Sequence, residues 1–91
     1  VTPLMMACGS GDTQSVNLLI GNKAELNVRD DAGNTAFIYA CSGGHLPAAK
    51  LLAENGAEVN VANKDGQTAL KIAEMNKRED IVKFINDLKS K

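Results

Sequence analysis

Apolar positions in this 91-residue chain fall in short clusters separated by turn residues, never in one long run. In "TAFIYACSGGHLPAAKLLAENG" the apolar residues Phe37, Ile38, Ala40 and Cys41 share one face of a short helix. After Pro47, the residues Ala48, Leu51 and Leu52 continue at helical spacing. Composition alone leaves two other readings open. Phe37, Ile38 and Tyr39 suit a buried strand, while Cys41 and His45, four apart, suit two ligands on one turn of a metal-binding helix. The element ends favour helix. Thr35 is placed to accept a hydrogen bond from a first-turn amide, and Gly43 and Gly44 supply the left-handed residue that follows a helix. Pro47 falls in a first turn, where its missing N–H costs nothing, and Gly56 stops the second helix. From Glu58 to Gln67 the pattern is an extended arm with a tight turn at Asn63, Lys64, Asp65 and Gly66. The predicted unit is helix, turn, helix and projecting loop.

That unit recurs. "TPLMMACGSGD", "TAFIYACSGGH" and "TALKIAEMNKR" begin at Thr2, Thr35 and Thr68, spaced by 33 residues. The same shift relates Leu4, Phe37 and Leu70; Ala7, Ala40 and Ala73; Leu18, Leu51 and Phe84; and Leu19, Leu52 and Ile85. One unit cannot bury its own apolar face, whereas three stacked units let the rows 18/51/84 and 19/52/85 form continuous ladders. Phe37 to Tyr39 is therefore helix, with its aromatic content serving the core. Truncating Leu51 or Leu52 to Ala is expected to cost about 2 to 5 kcal/mol.

At this period, "GNTAFIYACSGGHLPAAKLLAENGAEVNVAN" (residues 33–63) resembles the ankyrin repeat: a Gly, a Thr-Pro-Leu-His-like helix start, a Gly-His turn, a Leu-Leu helix and a Gly-Ala-Asp-Val-Asn close. The resemblance implies an all-α ankyrin-repeat solenoid of stacked helix-turn-helix units with projecting β-hairpin loops. It forms one domain over 1–91, with units at 1–32 (lacking its opening hairpin), 33–65 and 66–91. Departures from the pattern are informative. The histidine usual after Thr-Pro-Leu is Met5, Ile38 and Lys71 here. In the last unit Lys71, Glu74 and Lys77 replace Met5/Ile38, Cys8/Cys41 and Gly11/Gly44, as in a terminal cap closed by a helix over 80–88. Met5 and Met6 have no such polar protection, so the chain is expected to begin inside a longer array or multidomain protein, with Val1 at an internal boundary.

The resemblance also implies a function: a non-catalytic scaffold or adaptor module that binds another protein through its hairpin tips and concave groove. Carried over by position, the partner-binding residues are Arg29, Asp31, Ala32 and Asn34 on one tip and Lys64, Asp65 and Gln67 on the next, continued by Ser42, Gly43, Met75 and Asn76 along the helix ends. Asp30 and Thr35 are assigned to the turn and the helix start. Because the tips mix acidic and basic residues, a polar protein surface is the more natural partner than an apolar peptide. Two alternatives accompany this reading: a regulatory or targeting domain of a larger enzyme or channel, and a substrate of an asparaginyl hydroxylase. Asn27 and Asn60, each eight residues after a leucine, resemble ankyrin asparagines modified in that way, although such an Asn ordinarily bonds the hairpin backbone.

Composition narrows the alternatives. A net charge of -1 gives no pull toward DNA, RNA or an anionic membrane, and no apolar run reaches the length that spans a bilayer. The basic excess near the end, with Lys71, Lys77, Arg78, Lys83, Lys89 and Lys91 against four acids, reads as a solvated face. Two cysteines make no disulfide framework, which favours cytoplasm or nucleus. Cys8 and Cys41, on stacked helices some 8 to 10 Å apart, are expected to stay reduced. One histidine does not complete a zinc site, and "GSGD" at residues 9–12 lacks the strand and Lys-Ser/Thr of a phosphate loop. No catalytic residue, metal or cofactor is assigned, and the isolated chain is expected to be a monomer.

Overall fold

The computed structural model describes residues 2–89. Val1, where the chain is expected to enter from a longer array, lies outside the described residues, as do Ser90 and Lys91. Six helices follow one another in three antiparallel pairs: α1 (Pro3–Ser10) with α2 (Thr13–Gly21), α3 (Ala36–Ser42) with α4 (Leu46–Glu54), and α5 (Ala69–Met75) with α6 (Glu79–Lys89). The first helices form one layer, α1 packing on α3 and α3 on α5, while α2 packs on α4 in the other.

Each first helix starts for the same local reason. The hydroxyls of Thr2, Thr35 and Thr68 accept from the amides of Met5, Ile38 and Lys71 at 3.1, 3.3 and 3.2 Å. The inter-helix turns also repeat, with Asp12, His45 and Arg78 donating their amides to Ala7, Ala40 and Ala73 at 3.0, 2.9 and 2.8 Å. Phe37 is fully buried in helix α3, so the strand reading of this stretch is excluded. Around it the core gathers Leu4, Met5, Cys8, Val16, Cys41, Leu52, Ile81 and Ile85.

Two expectations need correction. Of the predicted ladders, the row of Leu19, Leu52 and Ile85 is built: Leu52 and Ile85 are fully buried and Leu19 packs against the core. The row of Leu18, Leu51 and Phe84 is graded instead, because Leu18 is 66% exposed while Leu51 and Phe84 are half-buried. Consecutive residues on a helix point about 100° apart. When one row faces its own unit's first helix, the other must face the preceding unit.

The second correction concerns the projecting loops, which are not β-hairpins in the sense of paired strands. Among the described residues the only ladder contact is a single antiparallel bridge between Ala62 and Thr68. The chain enters the next helix directly after each turn, leaving no second arm to pair. Backbone donors are satisfied inside the turn, as described next.

Candidate partner-binding surface

Both tips are tight turns organised by one side chain. In the first, Asp30 Oδ1 accepts from the amides of Ala32 and Asn34 at 3.0 and 2.9 Å, and the Asp30 amide donates to the Asn34 carbonyl at 2.9 Å. One unit later, Asn63 Oδ1 accepts from Asp65 and Gln67 at 2.9 and 3.0 Å, and its amide donates to the Gln67 carbonyl at 2.9 Å. Asp30 and Thr35 thus serve the turn and the helix start. The second oxygen of Asp30 accepts from the Tyr39 hydroxyl on α3. That bond, followed by those from the tip amides, holds the Asp30 carboxyl below its ordinary range; the same bond, with a lesser contribution from burial, pushes the Tyr39 phenol up.

The tips are also tied to each other. Asn63 Nδ2 donates to Asn34 Oδ1 at 3.0 Å, and the Lys64 amide donates to the Ala32 carbonyl at 3.0 Å. Arg29 donates from Nε to the Gly33 carbonyl at 3.3 Å and from its guanidinium to the Ala62 carbonyl. Further along, Asn76 Nδ2 donates to the Ser42 carbonyl at 3.3 Å, and Gln67 Nε2 approaches the Met75 sulfur at 3.6 Å.

The eleven residues singled out from sequence therefore divide. Arg29, Ala32, Asn34, Ser42 and Asn76 hold neighbouring units together through these bonds, and Gly43 lies under the His45 ring. Gln67 is half-buried between Asn63 and Met75. Asp31, Lys64 and Asp65 are exposed, and their side chains have no partner among the described residues. Met75 is 58% exposed. Sequence reasoning missed Tyr39, which links α3 to the first tip. Its signal was faint: a phenol one turn from a helix start, nine residues after an acid.

The remaining candidate chemistry is structural. Cys8 and Cys41 are free and fully buried. Burial pushes the Cys8 thiol up to about 11 and the Cys41 thiol up to about 12, the latter with a smaller contribution from Cys8. Such thiols are poor nucleophiles at neutral pH. The His45 ring does not pair with Cys41 but crosses to the preceding unit, where Nε2 lies 3.2 Å from the Gly9 carbonyl and donates to it in the tautomer protonated there. No three His, Cys, Asp or Glu side chains among the described residues are grouped to hold a metal, and no described helix is long and apolar enough to cross a membrane. Asn27 Oδ1 accepts from the Glu58 amide at 2.8 Å, which gives that asparagine a role in joining units; Asn60 is exposed.

Among known proteins, no curated sequence matches the chain. A family model for ankyrin repeats does match, in three copies across residues 4–90. The three helix pairs, the threonine-capped first helices and the linked tips thus have a common origin: the chain belongs to the ankyrin repeat family.

Proposed function

We propose that this chain is a non-catalytic scaffold or adaptor module that binds a partner protein through its tips and the adjoining groove. Ankyrin repeats are generally protein–protein interaction modules. The observation that carries the reading here is the division of labour at the tips. Asp31, Lys64 and Asp65 project without partners from turns that Arg29, Asn34 and Asn63 brace. Preordered turns lose little entropy on binding, and charges of both signs on a rigid frame suit a polar protein surface. The free thiols are those of a chain in cytoplasm or nucleus, the location we assign.

The test is quantitative affinity capture from cytosolic and nuclear extracts, with the protein beside an Asp31→Ala, Lys64→Ala, Asp65→Ala variant whose fold is checked by circular dichroism. Partners retained by the first and lost by the second support the reading. Identical capture by both, or capture by neither, overturns it.

A further inference from the structure

Each unit covers the preceding one in a fixed register. The Tyr39 ring lies on Gly9, where an added Cβ would come 3.8 Å from Cδ1. His45 lies on Gly11 and Arg78 on Gly44, so closely that a Cβ would come within 2.5 and 2.9 Å of the covering side chain. In the outer layer, Leu51 borders Thr13, Gln14 and Asn17 of α2, and Phe84 borders Lys50, Ala53 and Glu54 of α4.

The same positions are uncovered at the two ends. In the first unit the equivalents of Tyr39, His45 and Leu51 are Met6, Asp12 and Leu18. Met6 and Leu18 are each 66% exposed, and with Pro3, Ala7 and Leu19 they line a groove of about 860 Å³. In the third unit the equivalents of Gly9 and Gly11 are Met75 and Lys77. Met75 is 58% exposed, and Lys77 lines a second concavity, of about 480 Å³, with Val82, Lys83 and Asn86.

We propose that these ends fit each other, the α1/α2 face of one molecule stacking on the α5/α6 face of a second copy in the chain's own register. Carried across the junction, that register sets Met6 against Met75, Asp12 against Lys77, and Leu18 against Lys83 and Asn86. Size and charge complement each other there. Inside the array a glycine is covered by a long basic or aromatic side chain; at the junction a lysine meets a short acid, leaving room for its stem and matching its charge. The two exposed methionines of the first-helix layer cover each other. Such a contact is heterologous and does not close, so it produces linear stacks. Lys71 and Glu74 oppose it, because they stand where Met5/Ile38 and Cys8/Cys41 are buried. The junction is thus weaker than those within the chain, and association belongs to high protein concentration. This revises the monomer expected from sequence.

Sedimentation equilibrium from about 10 µM to about 1 mM at low salt provides the test, a range that reaches the weakest specific affinities. The expected result is an average mass that rises with concentration. Lys77→Glu should weaken association about tenfold by placing like charges together. Asp12→Asn, which keeps the helix cap, should recover part of that loss when combined with Lys77→Glu. Glu74→Ala should strengthen association. Circular dichroism confirms that each variant is folded. A protein that stays monomeric to the highest concentration, with Glu74→Ala monomeric as well, overturns the proposal. So does association that Lys77→Glu leaves unchanged, since another face would then be responsible.

Discussion

The His45 ring fills the space over Gly11 of the preceding unit, and an added Cβ at Gly11 would come within 2.5 Å of Nδ1 and 3.0 Å of Cγ. Gly11 also has a φ of +77°. Gly66, with a φ of +76°, has nothing within 4 Å of an added Cβ. Backbone demand is equal at the two sites and crowding is not. Gly66→Ala should cost about 1 to 2 kcal/mol, the ordinary left-handed penalty. Gly11→Ala should cost more, about 2 to 4 kcal/mol, because the ring must leave and its contact with the Gly9 carbonyl is lost. Urea unfolding of the two variants checks the order.

Lys23, with a φ of +65°, occupies the place that Gly56 fills one unit later. A left-handed lysine is strained and a glycine is not, although glycine gives the unfolded chain more freedom. Lys23→Gly should therefore stabilise the protein by about 0.5 to 1 kcal/mol, read as a higher urea midpoint with an unchanged slope. An unaltered or lower midpoint would mean that the lysine stem is held by packing that offsets the strain.

The leucine rows separate in the same experiment. Leu52→Ala, at a fully buried site, should cost about 2 to 5 kcal/mol. Half-buried Leu51 should cost about 1 to 2 kcal/mol on the same change. Leu18→Ala, at a site 66% exposed, should stay within about 0.5 kcal/mol in dilute solution. Equal losses at Leu18 and Leu51 would show that the first unit is already covered at low concentration.

Acid should loosen the first tip. The Asp30 carboxyl is held below its ordinary value of 3.8, first by the Tyr39 hydroxyl and then by the tip amides. A carboxyl depressed in the folded state contributes stability above its unfolded value, and that stability is lost as pH falls through the folded one. Asp30 should therefore weaken the tip below about pH 4. Removing the donor with Tyr39→Phe should move the Asp30 titration back up toward its ordinary value, measured by NMR of the carboxyl carbon. An unmoved titration would assign the depression to the amides alone.

Much of this fold was legible in the chain itself because the interactions behind it are local. A threonine that accepts from an amide three residues on, and an acid or asparagine that closes its own turn, work within a few bonds of their own backbone. The 33-residue recurrence of Thr2, Thr35 and Thr68 then made stacking the only way to bury three apolar faces. The tips as a region were legible for the same reason. Their internal division was not, since whether Arg29 or Asp31 is free depends on which carbonyl of the next unit comes within reach. Likewise, spacing treated Leu18 and Leu19 alike, but only the rotation of each helix against its neighbours sends one inward and the other to the open face. His45 shows the limit most plainly. Its sequence neighbours pointed to Cys41 four residues away, whereas stacking carried its ring 36 residues back to Gly9. Offsets between units are fixed by the fit of whole surfaces, which no short window of sequence contains.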